Sequence, residues 1–272
     1  MATNTKIEWT ATPRADGSLA PGHTGNLWHG CDKVHAGCDN CYAETLTAKY
    51  GTFSVWGKDA PRKATKSVWG DFMRWQALAA AAGEIHRVFV GSMMDIFEKP
   101  FPLVSWHGEP AIDAADGSPI GTDALRDRFF NEIVPACPNL MFLLLTKRPS
   151  NINKYIPESW KSSPPVNVMF GTSPVDPDTF RTLTKQLKKV NGRRFLSVEP
   201  QLAEILPTPD ELDGIDWIIQ GGESGPKRRP FNIEWARSLR DICLANGTPY
   251  FFKQIDKILP IPADLLIRQF PA

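Results

Sequence analysis

The sequence predicts an α/β fold of parallel strands, on the scale of one (βα) barrel. Three observations lead there. Short apolar runs rich in β-branched and aromatic residues alternate with polar stretches of helical propensity, the order expected of βα units. Most of those runs are apolar without a break, as in parallel sheets whose two faces are both covered by helices. The 272 residues suffice for a single large core, so one domain, 1–272, is expected.

In order, strands are expected at 26–30, 87–91, 141–145, 167–171, 194–198, 217–220 and 249–252. Helices are expected at 43–49, 68–82, 124–134, 178–190 and 233–245, with Asp178 and Asn232 as N-caps. The Gly-, Pro-, Ala- and Asp-rich stretch 106–123 reads as an insertion after the second strand, either a lid or a mobile loop. The proline-rich stretch 152–166 reads as an irregular connection, and Pro262-Ala263-Asp264 as the start of a short final helix.

A net charge of +1 rules out a global positive field, so any nucleic-acid surface has to be a local patch. The N-terminal residues carry no apolar run and no long apolar stretch follows, so neither a signal peptide nor a membrane span is expected. The five cysteines do not form a disulfide framework: three crowd into one loop, while Cys137 and Cys243 stand apart and read as buried small apolar residues. That usage fits a reducing cytoplasm.

The chemistry concentrates at the ends of the expected strands, where (βα) barrels collect their reacting groups. Each run ends in small or polar residues: Ser92 to Asp95, Thr146-Lys147-Arg148, Thr172-Ser173, Glu199-Pro200, Gly221-Gly222-Glu223 and Lys253-Gln254. Before them all comes the loop 30–44, which carries Cys31, Cys38 and Cys41. Three thiolates hold three irons of a cubane and leave the fourth open. They also suit a structural zinc, with His29 or His35 completing the set, although both histidines read more simply as solvated loop residues.

Taken together, Lys6 to Thr10, Gly30 to Glu44, Phe89 to Met93, Leu145 to Pro149, Phe195 to Pro200, Gly221 to Gly225 and Phe251 to Gln254 resemble one family along nearly the whole chain. It is a bacterial and phage-associated family of unknown function, itself similar to radical S-adenosylmethionine (SAM) enzymes. The resemblance implies a partial or near-complete (βα) barrel in which Cys31, Cys38 and Cys41 ligate a 4Fe-4S cluster. The open iron would chelate SAM, and electron transfer would generate a 5′-deoxyadenosyl radical that abstracts hydrogen from a substrate.

It further implies an amino-group contact at Ser92 and Asp95, ribose contacts at Ser173 and Glu199, and close approach of adenine at Gly221 and Gly222. Glu223 would face the cofactor or the substrate, Lys147 and Arg148 a carboxylate or anionic substrate, and Lys253 the substrate. The sequence departs from the commonest radical SAM signature in two respects. Six residues rather than three separate Cys31 from Cys38, and Asn40 stands where an aromatic residue is usual, with the Tyr42 side chain expected to point elsewhere.

The implied partners are a reductant of flavodoxin or ferredoxin type and, for a phage-encoded chain acting in the bacterial host cytoplasm, DNA or a nucleotide. The implied reaction is a rearrangement or modification of a hypermodified base, of isomerase or lyase type, with Lys227-Arg228-Arg229 and Lys147-Arg148 as phosphate contacts. The alternatives are lesion repair resembling spore photoproduct lyase, and a zinc-stabilised nucleic-acid-binding protein without redox chemistry.

Overall fold

The computed structural model describes residues 3–50 and 53–271. Its centre is a curled seven-stranded sheet: β1 (His23–Gly25), β2 (His86–Val90), β3 (Leu140–Thr146), β4 (Val168–Thr172), β5 (Arg193–Val198), β6 (Trp217–Gly221) and β7 (Tyr250–Gln254). The spatial order is β7-β6-β5-β4-β3-β2-β1, every neighbouring pair is parallel, and β1 and β7 are its open edges. All seven C-terminal ends therefore lie on one side.

Side chains of a strand alternate between its two faces, and here both sets are apolar. Val88, Phe142, Phe170, Leu196, Ile218 and Phe252 pack outward against helix residues such as Phe72, Trp75, Phe180 and Leu239. Phe89, Leu143, Met169, Phe195, Trp217 and Phe251 point inward and gather around Trp9. The continuous apolar runs thus have a different cause from the expected one. Helices cover the outer face, while the inner face closes on itself around an N-terminal plug. The Trp9 ring lies 4.8 Å from that of Phe89 and 6.3 Å from that of Trp217, tilted or edge-on as aromatic quadrupoles prefer.

Four expectations need correction. The first strand is His23–Gly25, not 26–30. Asn26 leaves the sheet, its amide donating to Ser92 Oγ and its carbonyl accepting from Met93 N, and Trp28–His29 pairs antiparallel with Arg62–Ala64 in a separate small sheet. The third helix ends its regular part at Arg128 and continues as a π-turn, Phe129–Ile133. Pro135 lacks the N–H that an α-helix would give to the Asn131 carbonyl, and the wider turn absorbs the loss. The cap of helix Pro177–Leu187 is Asp176, not Asp178; it accepts from Thr179 N, with Pro177 at the first helical position. Stretch 152–166 contains two short helices, Ile152–Tyr155 and Glu158–Ser162.

Other expectations hold. Asn232 caps Ile233–Asn246, and Ala263–Leu265 forms the short final helix. The stretch 106–123 is an irregular arm, pinned by antiparallel bridges Val104 to Pro110 and Ile112 to Pro119. Among the described residues no helix is long and apolar enough to cross a membrane.

Candidate functional site

A cavity of about 370 Å³ opens at the C-terminal ends of the strands, within the size range of small-molecule sites. Ile7, Trp9, Phe89 and Leu145 form an apolar floor, because the inward faces of the strands end there. Above it stand Cys31, Cys38, Cys41, Ser92, Asp95, Lys147, Arg148, Ser173, Glu199, Glu223 and Lys253. The structure therefore brings together all the expected site residues except Gly221 and Gly222. Neither glycine lines the cavity, and the backbone at Gly222 is tightly packed. A Cβ on Gly222 would lie 2.1 Å from the Ile255 carbonyl oxygen and 2.7 Å from Phe231 Cβ.

The three cysteines all line the cavity, each half-buried. Their donor chemistry suits a cluster of soft metal ions held by three thiolates, and the cavity in front of them leaves room for a further ligand. Among the described residues no three His, Cys, Asp or Glu side chains are gathered into a metal cage. Burial and the carboxylates of Asp95 and Glu98 push the Cys31 thiol up, opposed by Arg148. Each histidine keeps one buried ring nitrogen without a hydrogen-bond partner among the described residues, His29 Nδ1 and His35 Nε2. His35 Nδ1 accepts from Gly37 N, and His29 lies on the strand facing Lys63. Cys137 and Cys243 are fully buried, and burial pushes their thiols up to about 11 and about 12.

Several expected ligand contacts are instead committed within the protein. Asp95 Oδ1 accepts from Thr146 Oγ1 and Phe97 N, and Oδ2 from Lys147 N and from Arg148 Nη1 at 2.8 Å. Glu223 accepts from Arg229 and from Asn40 Nδ2, which ties the cysteine loop to the end of β6. Arg229 also donates to the Ala36 carbonyl, and its guanidinium helps hold Glu223 below the usual carboxylate range. Arg228 pairs with Asp256, so two of the three residues in the basic run 227–229 have internal partners.

Glu199 and Lys253 form an ion pair inside the cavity, with Gln254 Nε2 also donating to the carboxylate. The Ser173 hydroxyl and the Lys147 ammonium have no side-chain partner among the described residues and face the cavity.

Tyr42 departs from expectation by lining the cavity, its hydroxyl donating to the Ser92 carbonyl. Sequence reasoning also missed Ser197, Trp9 and Asn26. Ser197 was findable: it has the inward parity of Phe195 on β5. Asn26 and Trp9 carry no local signal, because their partners are distant in sequence.

No curated protein and no solved structure matches the chain. One family does, over residues 4–108 and 120–262, described as proteins of unknown function (DUF5131). The residues between the two matched segments, 109–119, fall in the irregular arm after the second strand. With nearly the whole barrel matched, strand ends and cysteine loop included, the chain belongs to the DUF5131 family.

Proposed function

We propose that this protein is a radical SAM enzyme in which Cys31, Cys38 and Cys41 hold a 4Fe-4S cluster at the open end of the half-barrel. The observation that carries the reading is the shared cavity: three half-buried thiols line it together with polar groups from the ends of β3, β4, β5 and β7. One electron passed through such a cluster to bound SAM, from a flavodoxin- or ferredoxin-type donor, cleaves the sulfonium and starts hydrogen abstraction.

The chain's own residues fit the remaining tasks. Trp9, Ile7, Phe89 and Leu145 keep the floor dry, which a reactive radical requires. The Lys147 ammonium and the Ser173 hydroxyl supply a cation and a hydrogen-bonding group for the methionine and ribose parts of SAM. Tyr42 offers an aromatic ring at the mouth, where Asn40 cannot. The paired Glu199 and Lys253 present both charges to a substrate. We place a nucleotide or a DNA base in that role, with rearrangement or lyase chemistry. Arg228 and Arg229, paired internally with Asp256 and Glu223, are poor candidates for holding its phosphate.

The test is anaerobic reconstitution with iron and sulfide, followed by metal analysis and electron paramagnetic resonance. We expect about four irons per chain. Cys38→Ala should lose the stable cluster, while Cys137→Ser and Cys243→Ser should keep it. Zinc retained in place of iron would replace this reading with a zinc-stabilised binding protein.

A further inference from the structure

The sulfur of Cys31 sits beside a network of charged side chains at the ends of β2 and β3. Arg62 is spent on Glu98 in a fully buried, two-point pair, and it also donates to the carbonyls of Val55, Gly57 and Ala60. Arg148 instead faces the sulfur. Its Nη1 lies 3.6 Å from Cys31 Sγ and 2.8 Å from Asp95 Oδ2, and its Nη2 donates to the Asp32 carbonyl at 2.7 Å.

Both terminal nitrogens of the guanidinium are thereby directed. Asp95 fixes one nitrogen, the backbone just after Cys31 takes the other, and an N–H remains for the sulfur. Asp95 is held in turn by the Thr146 hydroxyl, which also accepts from Arg148 N. The network runs from the end of β2 through the end of β3 to the cysteine loop, and all its members are buried or half-buried.

We infer that Arg148 is a positioning residue for Cys31, held by Asp95, that fixes the loop at its first cysteine and donates a hydrogen bond to the ligand sulfur. This assignment rests on the cluster reading above. It assigns the Asp95 carboxylate and the two terminal nitrogens of Arg148 to the protein's own network rather than to SAM. A hydrogen bond to a ligand sulfur stabilises the more negative, reduced state and so raises the reduction potential. Only a planar fork serves carboxylate, carbonyl and sulfur at once; a lysine ammonium keeps the charge and loses the geometry.

The experiment compares wild type, Arg148→Gln, Arg148→Lys and Asp95→Asn, all reconstituted anaerobically with iron and sulfide. Two readouts are taken: the midpoint potential, by reductive titration with paramagnetic detection, and the rate of iron loss to a chelator. Arg148→Gln should show a more negative midpoint and lose iron about tenfold faster, the lower end of what support shells around metal ligands contribute. Arg148→Lys should recover part of the midpoint but not the retention, and Asp95→Asn, which loosens the guanidinium but also removes a negative charge, should lose iron at a rate between wild type and Arg148→Gln. Thermal unfolding of the iron-free proteins separates these effects from misfolding, and if Arg148→Gln does not fold, Arg148→Lys carries the comparison. A wild-type midpoint and wild-type retention in the folded Arg148 variants would overturn the inference alone. A wild-type protein that takes up no cluster would overturn the reading beneath it as well.

Discussion

At Gly222 the β6 end passes so close to the segment after β7 that a side chain has nowhere to go. The nearest atoms are a backbone carbonyl oxygen and the Phe231 side chain, and the carbonyl cannot swing aside. Gly222→Val should therefore destabilise the fold by about 1–3 kcal/mol, the range for overpacking. A lower urea midpoint at unchanged slope is the expected record. An unchanged midpoint with weakened SAM binding would return Gly222 to the cofactor pocket. The same contrast explains which site residues were legible. Three thiols within one short loop announce their chemistry by type. Asp95 and Glu223 announce only a carboxylate, and what each is committed to depends on Arg148, Arg229 and Asn40, the last of these 183 residues away from Glu223.

For whole elements, periodicity and propensity located the strands to within a residue or two wherever a run was apolar on both faces. They failed where one residue diverts the chain. Leu27 and Trp28 are buried and apolar, yet they lie beyond the sheet because the Asn26 side chain turns the backbone toward Ser92. The cap of Pro177–Leu187 shows the opposite case. Pro177 favours the first helical position, which makes Asp176 the cap on a closer reading. Asp176 also closes a reciprocal box with Thr179, so Asp176→Ala should cost about 1 kcal/mol while Asp178→Ala costs a few tenths at most. Chemical denaturation of the two variants distinguishes them, and equal losses would mean that the cap is not specific.

Across the whole molecule, the open half-barrel depends on its N-terminal segment, which plugs the interior through Trp9 and reaches β1 through His23. His23 is buried, stacked on Trp75 at 4.5 Å, and its Nδ1 accepts from Asn4 N. That bond leaves the proton on Nε2, which faces His86 Nδ1 at 3.2 Å, and His86 Nε2 faces Glu84, itself paired with Arg14. Burial first, then the neighbouring His86 and Arg74, push His23 down to about 4 from 6.5. Because its folded value lies below its unfolded one, the unfolded chain takes up a proton first as pH falls. The stability contributed by neutral His23 is fully present above pH 6.5 and is lost progressively down to about pH 4. Between pH 7.5 and pH 5 the loss from this group alone is about 2 kcal/mol. His29 and His35 are lowered in the same direction and add to the slope, whereas the depressed carboxylates of Glu84 and Asp264 act only at more acid pH. His23→Gln keeps an amide donor toward His86 but cannot titrate. Urea midpoints at pH 7.5 and pH 5 should therefore differ less in this variant than in wild type, even if both of its midpoints are lower. An identical pH dependence in the two proteins would show that His23 is not the group that ties the fold of the N-terminal segment to pH.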